Sequence, residues 1–534
     1  MKILKLISLS LPLFVLINCG PKGEQNTDTP ENIAKRPNIL FIMSDDHARQ
    51  AISAYSDKLM LTPNIDRLAK EGVLIRNGYV TNSICAPSRA AILTSKYSHL
   101  NGLRDNRDTF DGSQMTFPKL LQKAGYHTSV VGKWHLKSEP QGFDYWNVLI
   151  DQGEYYKPRM VELGDTTVQE GYTTDVITDK ALAVLDSLGG PDKPFMMMLH
   201  HKAPHRNWMP KIEHLKLFNE DLPVPDNFFD DYENRQAAAE QDLSIDRMYL
   251  SSDLKLAPQY YKEETGTGGG PESANPERNY EYALRRLTPE QRQAWDEHYD
   301  PIGKAFKEAN LSGKELDLWK YQRYIKDYLR SVYSVDENIG RVLDYLDKRG
   351  LTENTIVVYT SDQGFYLGEH GWYDKRFMYE ESFSTPMLVR FPGTVQAGSS
   401  MEDFVMNIDF APTFLDYAGV EVPNEMQGLS LRQLFEGNNE GWRKSMYYHY
   451  YEYPHGWHSV KKHYGIRSGR YKLIHYYDDI DTWELFDLQN DPNEMVNLID
   501  HNEYIDVVDN LKKELQSLQE ELKEKPEITL MTLP

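Results

Sequence analysis

Cysteine is nearly absent from this chain of 534 residues, which has only Cys19 and Cys85. Cys19 closes an N-terminal leader, so a disulfide framework is excluded and each cysteine invites a chemical role. Positive charge is also in deficit: 59 Lys and Arg stand against 81 Asp and Glu, a formal net charge of −22. Nucleic acid and anionic membrane surfaces are therefore poor partners, because both need a positive footprint. A long basic groove for the middle of a polyanionic polymer is equally disfavoured, and a local basic pocket that takes chain ends or short oligosaccharides fits better. Beyond the leader there is no apolar run of about 18 residues or more, the length a spanning helix needs. Internal repeats are absent too, and the only low-complexity stretch is residues 20–36.

The chain opens with an export signal. Lys2 and Lys5 precede an apolar run from Ile7 to Ile17 that Pro12 interrupts and that is too short for a stable anchor, so residues 1–19 read as a signal peptide. Leu16-Ile17-Asn18-Cys19 resembles a bacterial lipobox with Cys19 as the lipidated residue, although Asn18 departs from the usual small residue and leaves ordinary secretion open. An uncleaved N-terminus is the blander alternative. Residues 20–36, with Pro21, Gly23 and Pro30, read as a flexible tether. The expectation is a periplasmic or surface lipoprotein of a Gram-negative bacterium, touching membrane only through its lipid.

From Pro37 onward, short apolar runs alternate with helical segments, the pattern of an α/β domain with a largely parallel sheet. Four runs predict strands: Asn38 to Met43, Ser129 to Val131, Pro194 to Leu199 and Thr355 to Tyr359. Each is followed closely by polar residues: Ser44-Asp45-Asp46-His47, Gly132-Lys133-Trp134-His135, His200-His201-Lys202-Ala203-Pro204-His205 and Ser361-Asp362-Gln363-Gly364. The carboxyl edge of an open α/β sheet is where ligands bind, so one shared site is the economical reading. Helices are predicted after Thr62-Pro63 as far as Lys70, at Phe117 to Ala124, Val176 to Leu188 and Tyr321 to Lys348. Residues 211–318 read as an elaborated insertion, in which Tyr260, Tyr261, Trp295 and His298 fit surface packing at least as well as a sugar-binding rim. Past residue 434, short tyrosine-rich strands and the amphipathic run Ile505 to Leu522 predict a small antiparallel sheet with a packing helix. The domain reading is thus a catalytic body over 37–433 and a C-terminal subdomain over 434–534.

Asp45 and Asp46 adjoin at one strand end, Asp362 and Gln363 at another. Neighbouring carboxylates repel unless a cation lies between them, and three carboxylates with an amide oxygen form an all-oxygen set for a hard divalent ion, calcium in preference to magnesium. For one such pair alone, a helix cap or turn is as good a reading. Cys85-Ala86-Pro87-Ser88-Arg89 leads into the apolar helical run Ala90 to Leu93. Pro87 suits a first helical turn, which puts Cys85 at or just before the positive end, where an anion meets free N–H groups. Ser88 and Arg89 fall on the face of Cys85 and are expected to turn back towards its sulfur. A buried structural cysteine is the competing reading.

Cys-x-Pro-Ser-Arg resembles the signature of type I sulfatases, in which the cysteine is oxidised by a maturation enzyme to formylglycine. The resemblance runs from Pro37 to the Leu485-Phe486-Asp487-Leu488-Gln489-Asn490-Asp491-Pro492 segment and implies an alkaline-phosphatase-like fold. By resemblance, Asp45, Asp46, Asp362 and Gln363 bind the metal, with the modified Cys85 also on it; Gln363 stands where many members have Asn or His. Lys133, His135 and Lys375 match further family motifs, and Arg376 adjoins Lys375 as a substrate contact. The implied cycle is attack on sulfur by one hydroxyl of the hydrated aldehyde, with Arg89, Lys133 and Lys375 holding the sulfate and His205, or its rival His201, protonating the leaving alcohol. His135 then helps the second hydroxyl expel sulfate, which a serine could not do.

The expected activity is sulfate-ester hydrolysis on carbohydrates, acting from chain ends. Ala203-Pro204-His205 with Asp374-Lys375-Arg376 looks similar to the glucosamine-6-sulfatase branch, with sulfated algal polysaccharides such as ulvan as a second substrate class. The alternatives are a phosphodiesterase or phosphonate monoester hydrolase on the same scaffold, or a non-catalytic calcium-dependent glycan-binding surface protein.

Overall fold

The computed structural model describes residues 36–188, 193–264 and 275–524. The leader, Cys19, nearly all of the tether and the Gly268-Gly269-Gly270 loop lie outside the described residues.

A ten-stranded sheet organises the body. Its strands are β1 (Asn38–Ser44), β2 (Val73–Ile75), β3 (His127–Lys133), β4 (Tyr145–Leu149), β5 (Arg159–Glu162), β6 (Asp165–Val168), β7 (Phe195–His200), β8 (Thr355–Ser361), β9 (Met387–Arg390) and β10 (Ser399–Met401). Across the sheet the order is β10-β2-β9-β8-β1-β7-β3-β4-β5-β6. The run from β8 through β1, β7 and β3 to β4 is parallel throughout, while β9 runs antiparallel to both neighbours. The four apolar runs of the sequence are therefore four adjacent central strands.

Those strands are buried on both faces, which is why they read as continuous apolar runs. Their residues divide with period two. Leu40, Ile42, Met197, Leu199, Val357 and Tyr359 enter one core, and Ile39, Phe41, Met43, Met196, Met198, Ile356 and Val358 enter the other. The helices used below are α1 (Cys85–Thr94), α2 (Thr173–Ser187), α3 (Pro289–Ala309), α4 (Gly313–Lys348), α5 (Phe410–Tyr417) and α6 (Ile505–Glu521). α2, α3 and α4 supply the first core; α1 and α5 supply the second through Ala90, Ile92, Phe410 and Phe414.

Two helix starts differ from expectation. α4 begins at Gly313, eight residues before Tyr321; Gly313 to Glu315 are exposed, and Leu316, Leu318 and Trp319 pack only partly against the core. The helix after Thr62-Pro63 spans Ile65–Lys70 with Asn64 at its cap position. Thr62 does not cap it; the free N–H groups of Asn64 and Ile65 donate instead to Asp336 of α4, at 3.1 and 2.8 Å. In the insertion, Trp295 is fully buried and Tyr260 nearly so, with Tyr261 packed against the same core, and His298 meets Tyr299 edge-on. Packing, rather than a sugar rim, accounts for all four.

A separate antiparallel sheet of β11 (Ser445–Tyr450), β12 (His463–Ser468), β13 (Tyr471–Tyr476) and β14 (Thr482–Asp487) follows. Val508, Leu511 and Leu515 of α6, spaced for one helix face, pack with Ile466, Ile474 and Leu485. The same core takes in Tyr79, Ile84 and Ala91, so the C-terminal sheet buttresses the start of α1.

Candidate active site

β1 and β8 pair in register with Ser44 opposite Ser361, so Asp45-Asp46 and Asp362-Gln363 leave the sheet side by side. Asp46 adopts a left-handed backbone, φ 62°, a conformation aspartate tolerates better than most residues. Its N–H donates to Asp362 Oδ1 at 3.1 Å. Gly364 closes this turn: a Cβ there would lie 2.1 Å from the Glu381 carbonyl and 2.2 Å from that of Ser384. α1 starts at Cys85, after Ile84 in extended conformation, and the Cys85 sulfhydryl donates to Asp45 Oδ1 at 3.4 Å.

Ser88 and Arg89 do not turn back to the sulfur as the sequence predicts. The Ser88 hydroxyl donates to the Asp362 carbonyl and accepts from Asn407 Nδ2 at 2.9 Å. Arg89 reaches Asp362 Oδ2 through Nε and Nη2 at 3.1 and 3.0 Å, Asp45 Oδ2 at 3.2 Å and the Lys133 carbonyl at 2.7 Å. The carboxylates, being charged, outcompete a neutral thiol for the guanidinium fork. Lys133 is fully buried, and its ammonium pairs with Asp45 and donates to Gln152 Oε1. Lys375 donates to both oxygens of Asp46, at 2.7 and 2.8 Å. Arg376 is 2.6 Å from Asp374 Oδ1 and 3.4 Å from Glu452 Oε2, and the other Asp374 oxygen pairs with His458 Nε2 at 2.8 Å.

The histidines separate clearly. His205 Nε2 lies 3.7 Å from Asp46 Oδ2, and its Nδ1 donates to the Arg206 carbonyl at 2.7 Å, leaving Nε2 to face the carboxylates. Burial, reinforced by Lys133, pushes its pKa well below the usual imidazole range. His135, φ 55°, accepts from Gln152 Nε2 at 3.1 Å and is held neutral by burial and by Lys133. His201 is fully buried with neither ring nitrogen hydrogen-bonded. Burial lowers it to about 4, and the charges it feels are Asp175 and Arg341 of α2 and α4 rather than the cluster. The geometry thus brings His205, not His201, to the carboxylates.

Electrostatics set what these groups can do. Burial and the Asp45 carboxylate push the Cys85 thiol well above its ordinary pKa, so as a plain thiol it is a poor nucleophile. Asp45 is held well below the carboxylate range because Lys133, His205, Arg89 and Lys375 together outweigh its burial. Asp46 is pushed up to about 7 by burial and by Asp45, Asp362 and Asp374, despite Lys375. One oxygen from each of Asp45, Asp46 and Asp362 lies within 4.8 Å of the others. Gln363 donates its amide to Asp46 Oδ1 at 2.5 Å, and its own Oε1 is buried with no partner. An orphaned oxygen beside three crowded carboxylates is a donor set that a hard divalent cation fits.

Sequence reasoning missed Gln152, Asn407, Glu452 and His458. Gln152 follows β4, a fifth parallel strand that the sequence reading did not find because Asn147 interrupts its apolar run. The strand-end rule that flagged Asp45 and Asp362 would have flagged Gln152 as well.

Residues 37–420 match the sulfatase family model, and residues 368–521 match the C-terminal model of N-sulphoglucosamine sulphohydrolase. The chain is 50% identical over 526 residues to N-acetylglucosamine-6-O-sulfatase of Bacteroides thetaiotaomicron, covering 96% of this chain and 90% of that one. It is 26% identical to an arylsulfatase of Clostridium perfringens, over 90% and 93% of the two chains. A solved structure described as in complex with its substrate D-glucosamine-2-N,6-O-disulfate superposes with a TM-score of 0.87 at 50% identity, covering 92% of this chain and 99% of that one.

Proposed function

This chain belongs to the sulfatase family and hydrolyses sulfate esters of glycans, and from that premise we propose that it removes the 6-O-sulfate of N-acetylglucosamine at the end of a glycosaminoglycan or mucin chain. The observation that carries the reading is 50% identity to an N-acetylglucosamine-6-O-sulfatase across 96% of the chain. Ulvan-type polysaccharides are the weaker reading, since the ulvan-active relative from Formosa agariphila is 25% identical over 82% of this chain. The family uses a divalent metal and formylglycine; on this reading Cys85 is the residue converted, and the metal is calcium.

Asp45, Asp46, Asp362 and Gln363 would hold the cation, their all-oxygen donor set favouring calcium. When bound it supplies Lewis-acid polarisation of the sulfate and offsets the crowding of the carboxylates. Arg89 keeps Asp45 and Asp362 in place. Lys133 and Lys375 are paired with Asp45 and Asp46 and supply fixed positive charge for the sulfate oxygens. His205 presents Nε2 to the centre; it is unprotonated while Nδ1 donates to the Arg206 carbonyl, so Nε2 must first take up a proton, which the negative charge of a bound sulfate favours, before passing it to the departing sugar oxygen. His135, oriented by Gln152, takes the proton released when the modified Cys85 is regenerated. Arg376, locked by Asp374 and Glu452, is assigned to the sugar. We place the enzyme outside the cytoplasm, exported by residues 1–19 and tethered by lipid at Cys19.

The test is the mass of the peptide spanning Ser83 to Arg89, from protein made with its maturation enzyme, together with sulfate release from a panel of sulfated sugars. Formylglycine at Cys85, with release from 6-sulfated N-acetylglucosamine that vanishes in Cys85→Ala, is expected. Efficient conversion without release from that sugar would overturn the substrate assignment.

A further inference from the structure

Beside the catalytic edge a cavity of about 260 Å³ opens between the loop after β4 and the helix Pro276–Leu284. The reaction above makes no use of it. Its wall holds four basic side chains, Lys202, Arg159, Arg285 and Arg286, against the carboxylates of Asp151 and Glu154; burial and the nearby Lys133 bring the Lys202 ammonium down to about 7. Glu154 is shared, with Oε1 2.9 Å from Arg159 and 2.8 Å from Arg286. Lys202 is 4% exposed and has no carboxylate within ion-pair distance among the described residues; its Nζ sits 3.4 Å from the Arg206 carbonyl and 4.9 Å from the centre of the Tyr155 ring. Arg285 stacks on Tyr282 at 3.5 Å, and burial together with the adjacent Arg286 lowers its pKa. In a chain of net charge −22, this is a local surplus of positive charge whose desolvation and mutual repulsion an anion would offset.

Cavity and catalytic centre share a wall. Gln152 lines the cavity and touches both Lys133 and His135. Tyr155 lines it too, and its hydroxyl donates to the His205 carbonyl at 2.5 Å. A glycan whose sulfate lies at Lys133 therefore has its neighbouring groups beside the cavity. We propose that the cavity is a second anion subsite, in which Lys202, Arg285 and Arg286 bind a carboxylate or sulfate carried by the same glycan next to the group being cleaved. The inference rests on the glycan-sulfatase reading and deepens it: the enzyme selects sulfated units whose surroundings are acidic.

Two pairs of substrates test it on the wild-type enzyme. One pair is 2-N,6-O-disulfated glucosamine against 6-O-sulfated N-acetylglucosamine; the other is a disaccharide of 6-sulfated N-acetylglucosamine and a uronate against the same disaccharide with the carboxyl reduced to an alcohol. At least one pair is expected to show kcat/KM about tenfold higher for the more acidic member, carried by KM and fading as salt is raised. Which pair responds identifies sulfate or carboxylate as the anion. Arg285→Ala and Lys202→Met should each erase the preference, and Arg285→Lys should keep most of it. Equal kcat/KM within both pairs, or a preference that survives Arg285→Ala and Lys202→Met in protein of wild-type Tm, overturns the subsite while leaving the sulfatase reading intact. Release of sulfate from none of the four would fell the substrate assignment and the subsite together.

Discussion

Asp46 meets three demands at once: a left-handed backbone, a 2.7 Å contact with Lys375, and a place beside Asp45 and Asp362. A cation among these oxygens relieves the repulsion that raises its pKa, so calcium should stabilise the native state by mass action, by about 2.7 kcal/mol at a hundred times its Kd. Gln363→Leu removes the orphaned Oε1 and should weaken calcium binding by roughly tenfold, read as Kd by calorimetry and as a smaller calcium-dependent rise in Tm. An unchanged Kd would remove Gln363 from the ligand set. At this scale the sequence was most legible where residues are charged and adjacent. Asp45-Asp46 and Asp362-Gln363 read as one cluster because adjacent carboxylates need positive charge nearby, and Arg89, Lys133 and Lys375 are found there, whereas Gln152 is a lone amide whose importance appears only when Lys133 and His135 are seen beside it.

At the scale of elements, the site exists because parallel strands end at one level. Gly132 faces His200 across the β3–β7 ladder, with φ 111°, and a Cβ there would lie 1.8 Å from the His200 carbonyl oxygen. Gly132→Ala should therefore cost about 3 kcal/mol of stability and, by displacing Lys133 and His135, lower kcat/KM by roughly a hundredfold. A variant with wild-type Tm and activity would show that the strand end has slack. Strand ends were readable because buried parallel strands are apolar runs followed by abrupt polarity. Helix starts were less so: α4 opens on the exposed Gly313-Lys314-Glu315, with Leu316, Leu318 and Trp319 only partly buried, and the start of the Ile65–Lys70 helix is satisfied by Asp336, 272 residues away from Asn64 in the chain. No local pattern encodes a cap supplied from that distance.

At the scale of the whole molecule, a buried carboxylate is one of the ties between the insertion, the catalytic body and the C-terminal region. Asp230 accepts from Arg235 at 2.8 and 2.5 Å and meets His370 Nδ1 at 2.7 Å, five residues before Lys375. Arg235 in turn donates to the Glu494 carbonyl at 3.2 Å. The sequence marks residues 211–318 as irregular and charged but cannot say which charges close on distant segments, because the partners are separated by more than a hundred residues and each alone reads as a solvated side chain. Burial opposes ionisation of Asp230, yet its hydrogen bonds to His370 and Arg235 prevail and hold it down at about 2. A carboxyl whose folded pKa lies below its ordinary value of about 3.9 binds its proton more weakly in the folded state than in the unfolded one. Its contribution is complete above pH 4 and is lost as pH falls from about 4 to 2. That contribution, reduced for screening, is about 1–2 kcal/mol. Asp230→Asn should lower stability near neutrality and flatten the loss of stability between pH 4 and 2, measured as urea midpoints across that range. Parallel curves for wild type and variant would show that the insertion is anchored elsewhere.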